Sequence, residues 1–171
     1  MKPLILAVVL CASPALADPT TEATASPLAL HVDLFGSDVQ PLNLKLTGGT
    51  RTFYGLLQVG AGRGEQFVAG TGLGVHVGEK LWADIDATCS IIQALTGAQE
   101  TDLLMQLRGT IGVQPFPWLS FFLGPTLNTQ LSFAPNPIIR GSALAPLMVL
   151  APPEGGGGWQ FWAGLHAGIR L

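Results

Sequence analysis

The last thirteen residues, WQFWAGLHAGIRL, alternate between apolar side chains and polar or very small ones. Because side chains on a β-strand point alternately to its two faces, this segment predicts a strand with one wholly apolar face. Strands of globular proteins average about 5–6 residues, whereas a tilted strand needs about 9–11 residues to cross a bilayer. The segment is therefore long enough for a strand that spans a membrane.

Seven earlier segments show the same alternation and, with the terminal one, give eight predicted strands. Tight connections at 48–50, 78–80 and 115–117 alternate with connections at 63–65, 93–100 and 134–157, which we interpret as longer loops. Transmembrane barrels have an even number of strands, short turns at one end and longer loops at the other. The predicted fold class is therefore all-β, an eight-stranded antiparallel up-and-down transmembrane β-barrel. Its predicted strands are 28–34, 42–47, 50–62, 66–78, 81–91, 103–114, 119–133 and 158–171.

Residues 1–17 predict a cleaved secretory signal peptide, because they combine a basic Lys2, an apolar stretch and a final Ala-Leu-Ala. The polar residues 18–27 predict a flexible leader, and residues 28–171 the barrel domain. The proline-rich and glycine-rich segment 134–157 is expected to be a long extracellular loop. The alternative is a further strand within 134–157, but an odd number of strands would place the C-terminus on the outer side of the membrane.

The composition agrees with strands that each give one face to lipid. The chain is 48% hydrophobic and only 11% charged, with 22 glycines. After the leader, no apolar run approaches the roughly 18–20 residues of a membrane helix. A formal net charge of −3 argues against nucleic-acid binding. We expect no internal disulfide, since Cys89 is the only cysteine after the leader, and no cofactor or metal, since no zinc, calcium or phosphate-binding motif occurs.

On these features the chain resembles the small eight-stranded outer-membrane barrels of the OmpA/OmpX type. The resemblance covers about 28–171 and rests on pattern. It implies a monomer in the outer membrane of a two-membrane bacterium, in contact with outer-membrane lipid. It also implies insertion by the barrel-assembly machinery, which recognises the C-terminal strand. Ile169 and Leu171 supply the apolar spacing of that signal, although Leu171 stands where the family usually has an aromatic residue.

The inward faces predict a lumen filled by side chains, with large groups, Trp82, Trp118, Phe122 and Trp162, beside glycines. Inward parity brings Asp33, Asp84 and Asp86 to the same interior as Lys45, Arg108 and Arg170. A fold of the chain about residue 96 sets Asp84 opposite Arg108 and predicts an ion pair between them, since an unpaired buried charge is costly. We expect a structural polar cluster in the lumen, made of Asp84, Asp86, Arg108, His76 and His166.

Three functions fit the pattern. The first is a structural or surface-contact barrel without open pore or catalysis, whose contact residues would be Ile138, Ile139, Leu144, Leu147 and Met148. The second is an outer-membrane enzyme that modifies lipid, for which no serine lies close in sequence to His76 or His166. The third is a secreted lipocalin-like binder with its apolar rows turned inward. The few charges favour the first, with no catalytic residue.

Overall fold

The structure is a computed structural model that describes residues 29–62, 65–95, 101–132, 148–150 and 158–171. The predicted signal peptide, the leader and most of 134–157 lie outside these residues. So do the contact-loop candidates Ile138, Ile139, Leu144 and Leu147. For Met148, the strand pairing of its backbone is described.

The fold is a closed antiparallel barrel of eight strands with one short additional strand, which confirms the predicted barrel and its strand number. The eight barrel strands pair in chain order, the short additional strand pairs only with the last of them, and the last barrel strand pairs with the first to close the sheet. The strands are β1 Ala29–Ser37, β2 Leu42–Gly49, β3 Phe53–Gly62, β4 Gln66–Gly78, β5 Leu81–Ala94, β6 Thr101–Phe116, β7 Leu119–Ser132, β8 Met148–Leu150 and β9 Gly158–Arg170.

The stagger of the strands sets the width of the barrel. A path that follows directly paired residues from Arg170 once around the barrel returns to β9 at Gln160, ten residues away. With about 3.3 Å per residue and about 4.8 Å between strands, this stagger tilts the strands by about 40° from the barrel axis. An eight-stranded barrel of this shape has an interior just wide enough for its own side chains.

The apolar rows point outward and the polar rows point inward. On β7, Phe121, Leu123 and Leu127 are exposed, whereas the alternating Asn128 and Gln130 are buried. The same division holds on the other barrel strands, where most of the exposed large side chains are leucine, valine, isoleucine or phenylalanine. The alternating sequence therefore produces two chemically distinct surfaces of the barrel wall, and the hydrophobic surface is on the outside.

The two ends of the barrel differ. Residues 50–52, 79–80 and 117–118 connect strands at one end, which we call the turn end, and Ala29 and Leu171 lie there as well. The opposite end, which we call the loop end, holds the strand ends Ser37, Leu42, Gly62, Gln66, Ala94, Thr101, Ser132 and Gly158. At the turn end Gly78 has a φ of 99°, a left-handed conformation that a residue without Cβ adopts at low cost. Gly78 thereby allows the tight turn from β4 to β5.

Two local predictions are wrong, and the segment predicted as a long loop contains a short strand. The sequence Pro115-Phe116-Pro117 was expected to end the strand, but β6 continues to Phe116 because the ladder shifts register between Val113 and Phe116. Such an irregularity lets Pro115 lie in a strand without breaking a required hydrogen bond. Trp118, assigned to the inward parity, is 65% exposed at the turn. The segment 134–157 does hold a strand, the three-residue β8, which pairs with Phe161, Gln160 and Trp159 of β9.

Candidate functional site

The lumen contains seven charged or ionisable side chains joined in one continuous series, which we call the ion chain. Acidic and basic members alternate along it, so that each aspartate contacts two basic groups. The aspartates are at most 1% exposed, and the three strong bases at most 6% exposed. In order, the ion chain consists of His76, Asp84, Arg170, Asp33, Lys45, Asp86 and Arg108.

Arg170 is the centre of the half of the ion chain nearest the turn end. Its Nε donates to Asp33 Oδ1 at 2.7 Å and its Nη2 to Asp33 Oδ2 at 2.9 Å, a two-bond pair. The same Nη2 donates to Asp84 Oδ2 at 2.6 Å. Asp84 Oδ1 lies 2.6 Å from Nδ1 of His76, whose Nε2 lies 3.0 Å from the backbone oxygen of Gly78. Both ring nitrogens of His76 thus lie within hydrogen-bond distance of oxygen atoms.

Lys45 links the two halves of the ion chain. Its Nζ lies 2.9 Å from Asp33 Oδ2 and 3.2 Å from Asp86 Oδ2. Asp86 Oδ1 in turn accepts from Nε of Arg108 at 2.7 Å, and Nη1 of Arg108 donates to Gln58 Oε1 at 2.7 Å. Five strands, β1, β2, β3, β5 and β6, meet in these contacts, so the ion chain cross-links the barrel wall through its interior.

The predicted ion pair between Asp84 and Arg108 is wrong. The ladder between β5 and β6 sets Asp86 directly opposite Arg108 and Asp84 opposite Thr110, two residues from the predicted register. The prediction that all three charged side chains point inward is nevertheless correct, because a shift of two residues does not change the face to which a side chain points. The structure brings Asp84, Asp86, Arg108 and His76 into one ion chain, but Asp84 and Arg108 belong to its opposite halves.

His166 lies apart from the ion chain. It is buried on β9, and its Nε2 lies 2.9 Å from the hydroxyl oxygen of Thr110. Its Nδ1 has no hydrogen-bond partner among the described residues. A catalytic hydroxyl needs a base that is oriented by a third group and open to substrate. The contact between Thr110 and His166 is buried in the lumen, and among the described residues no acidic side chain is hydrogen-bonded to His166.

Aromatic rings surround the ion chain and reduce its contact with water. Phe35, Trp82 and Phe122 form a buried cluster, with ring centroids of Phe35 and Phe122 6.3 Å apart. The guanidinium of Arg170 lies 4.0 Å from the centroid of Trp82, and that of Arg108 lies 5.1 Å from Phe35. These cation–π contacts add to the ion pairs in holding the two arginines. Trp82 fits because its partner across the ladder is Gly112, where a Cβ would overlap the indole ring.

Two further layers fill the lumen towards the loop end. Above the ion chain lie amides and hydroxyls, and Gln106 Nε2 donates to Asn128 Oδ1 at 2.8 Å there. An apolar cluster follows, made of Val39, Val68, Ile92, Leu104 and Trp162. The ion chain therefore lies between the aromatic cluster of Phe35, Trp82 and Phe122 and the polar and apolar layers nearer the loop end.

Several members of the site were not grouped correctly from the sequence. The alternation of the sequence correctly predicted that Asp33, Lys45 and Arg170 point inward. It could not predict their contacts with Asp86 and Asp84, because those contacts cross the lumen between distant strands. Tyr54 also belongs to the site: it is buried, and its hydroxyl lies 3.4 Å from Asp86 Oδ2. Tyr54 lies two and four residues before the buried Leu56 and Gln58 of β3, and this spacing indicates the same inward orientation.

Comparisons with protein-family models, with curated proteins and with solved structures found no match to this chain. In the part of the chain that the structure describes, no helix is long and apolar enough to cross a membrane. Within the same residues, no three histidine, cysteine or acidic side chains are grouped so that they could hold a metal ion.

Proposed function

We propose that the protein is an integral β-barrel of the outer membrane, with a structural or surface-contact role and with neither an open pore nor catalysis. The observation that carries this proposal is the chemistry of the two surfaces: leucine, valine and phenylalanine outside, aspartate, glutamine and asparagine inside. Transmembrane barrels have this arrangement, because each strand gives its apolar side to lipid.

The height of the apolar outer band supports membrane spanning. On β7 the outward row runs from Phe121 to Leu131, ten residue steps. At about 3.3 Å per residue and a tilt of about 40°, this row is about 25 Å tall along the barrel axis. The apolar band of outer-membrane barrels is about 25 Å tall as well. A closed barrel also has no strand edge that would leave its backbone polar groups unpaired in hydrocarbon.

Stacked aromatic pairs lie at both ends of this band. Phe116 and Trp118 stack at the turn end with ring centroids 5.8 Å apart, and Trp159 and Phe161 stack at the loop end at 6.2 Å. Trp118 is 65% exposed and Trp159 39%. Aromatic residues are enriched at the two membrane–water interfaces, where an amphipathic ring contacts both media. The two pairs are placed where such interfacial rings belong.

A lipocalin-like binder requires the opposite arrangement, because a soluble barrel encloses an apolar ligand in an apolar interior. The interior here is occupied by the ion chain and by hydrogen-bonded amides. A soluble barrel also needs a charged outer surface. Exposed leucines such as Leu57, Leu73 and Leu107 would instead face water. The outer-membrane proposal accounts for both surfaces at once.

Side chains that lie across the barrel axis support a role without an open pore and without catalysis. Among the described residues these are the ion chain and the apolar cluster of Val39, Val68, Ile92, Leu104 and Trp162. The expected partners are outer-membrane lipid and the barrel-assembly machinery acting on the C-terminal strand, for a protein that we propose to be monomeric. We expect no nucleic-acid partner.

Fractionation of a two-membrane bacterium that expresses the full chain tests the proposal. The protein should be recovered with outer-membrane markers and should migrate differently on gels before and after boiling, as folded barrels do. Release with soluble periplasmic markers after osmotic shock would overturn the membrane location. In planar bilayers the purified barrel should give no stable conductance, and steady single-channel steps would overturn the absence of a pore.

A further inference from the structure

The turn end of the barrel contains a cavity of about 680 Å³ that plays no part in the proposed role. We call it the vestibule. It lies below the ion chain, between inward side chains of the strands and the turn residues 50–52 and 117–118. Small-molecule sites have volumes of about 300–1,000 Å³ and occur in the mouths of β-barrels, with largely apolar walls and a few polar groups. The vestibule fits this description.

The apolar part of the vestibule is aromatic and aliphatic. Trp82 lies at its inner side, while Trp118, Leu119 and Leu171 line it near the rim. Trp82 is buried and fixed by Arg170 on its face, whereas Trp118 is largely exposed and stacks on Phe116. The exposed ring of Trp118 offers a planar organic group an apolar surface, and the buried Trp82 forms the inner boundary of the cavity.

The polar part of the vestibule favours a negative ligand. Its ionisable lining residues are His31, Arg51, Tyr54, His76, Glu79 and Arg170, so that basic side chains outnumber the single carboxylate. The carboxylates beneath are already bonded, Asp33 by Lys45 and Arg170 and Asp84 by Arg170 and His76. Within the described part of the chain, neither Arg51 nor Glu79 forms an ion pair, and of these two charged groups the Arg51 guanidinium is the one that can take an anion.

Arg51 is held at the rim by a rigid turn. The backbone nitrogen of Thr50 donates to the oxygen of Phe53 at 2.8 Å, and the Thr50 hydroxyl accepts from the nitrogen of Phe53 at 2.9 Å. The nitrogen of His76 donates to the oxygen of Thr52 at 2.7 Å and ties the turn to β4. A guanidinium on a fixed backbone loses less freedom when it binds, and its fork of donors matches a carboxylate.

We propose that the vestibule binds a small organic carboxylate, with its carboxylate on Arg51 and its apolar body against Trp118 and Trp82. The ligand class follows from the unpaired guanidinium beside aromatic walls in a cavity of ligand size. This inference concerns the end of the barrel and is independent of the membrane location, since the vestibule would be the same in either medium.

Benzoate is the probe, and the four tryptophans provide the readout. Trp82 and Trp118 line the vestibule, whereas Trp159 and Trp162 lie towards the loop end. In nitrogen-15 spectra of the full barrel, benzoate should shift the indole signals of Trp82 and Trp118 saturably and leave the other two in place. The neutral benzamide should have no saturable effect. Absence of saturation, shifts of all four signals, or equal effects of benzamide would overturn the proposal.

The matched variants are Arg51→Gln and Lys80→Gln, which remove one positive charge from different turns of the same end. Arg51→Gln should weaken benzoate binding about tenfold or more, because a hydrogen-bonded ion pair is lost. Lys80→Gln, outside the vestibule lining, should change binding less than about twofold. Unchanged Trp159 and Trp162 signals show that each variant is folded. Retained affinity in Arg51→Gln, or an equal loss in Lys80→Gln, would overturn the assignment of Arg51.

Discussion

Arg170 and Asp33 form a buried two-bond ion pair across the seam that closes the barrel. They are directly paired residues of β9 and β1, the last and first strands, and lie 137 residues apart in sequence. Because Arg170 also bonds Asp84, one guanidinium joins the closing seam to β5 on the far side of the lumen. The ion chain therefore stabilises closure of the sheet as well as filling its interior.

Replacement of Arg170 by glutamine should destabilise the barrel by about 3–5 kcal/mol, because Asp33 and Asp84 would remain buried with too few positive partners. The measurement is the free energy of unfolding in denaturant, followed by the change in gel mobility between folded and unfolded protein. Lys80→Gln is the control, because Lys80 is exposed in a turn at the same end, and its effect should stay within about 0.5 kcal/mol. Equal stability of the two variants would contradict the role of Arg170.

The pairing within the ion chain can be tested by double-mutant cycles. Asp86 and Arg108 are directly bonded, so Asp86→Asn and Arg108→Gln should show a coupling free energy of about 1–3 kcal/mol. Asp84→Asn combined with Arg108→Gln should give a coupling smaller by at least about 1 kcal/mol, since Asp84 bonds Arg170 and His76 instead. The two cycles share one variant, and the reverse order of couplings would refute the register between β5 and β6.

The sequence predicted the inside and outside of the barrel well but not the partners within it. Alternation depends on local geometry, so the outward position of Leu127 and the inward position of Asn128 follow from parity alone. The partner of Arg108 depends on the register of β5 and β6, which the turn between them sets, and a two-residue error keeps parity while changing the contact. Contacts across the lumen, such as Tyr54 with Asp86, depend in addition on the stagger of all eight strands.

The end of β6 and the residue before β7 were also predicted incorrectly from the sequence. Pro115 was expected to end β6, since proline cannot donate to a ladder. The shift in register beyond Val113 removes that requirement, and a single sequence carries no signal for such an irregularity. Trp118 was placed inward by extending the parity of β7 one residue too far, into the turn that precedes Leu119.

Trp82 packs directly against Gly112, its partner across the ladder, so we predict that position 112 must be a glycine. A Cβ on Gly112 would overlap atoms of the Trp82 ring, so Gly112→Ala should cost about 1–3 kcal/mol of unfolding free energy through overpacking. Gly109→Ala, on the same strand, is the control. Its nearest neighbour would be Cγ of Pro125 at 3.8 Å, an ordinary contact, and its effect should be below about 0.5 kcal/mol. A tolerated Gly112→Ala would mean that Trp82 is packed differently.

Lysine substitutions at two depths of the outer wall separate a membrane barrel from a soluble one. Leu107 is paired with Ala87 and Leu127 in the middle of the apolar band, whereas Leu81 follows the turn at Glu79 and Lys80. In lipid vesicles, Leu107→Lys should lower the free energy of unfolding by about 2–4 kcal/mol, because an ammonium would be buried near the centre of the bilayer.

Leu81→Lys should lower the same quantity by only about 0–1 kcal/mol, because an ammonium near the interface remains in contact with water. Leu107 and Leu81 are 47% and 70% exposed, so in water both lysines would be solvated and neither variant would lose much stability. A depth-dependent loss therefore requires hydrocarbon around the middle of the barrel. Equal and small effects of the two substitutions would place the outer wall in water and remove the basis of the proposed function.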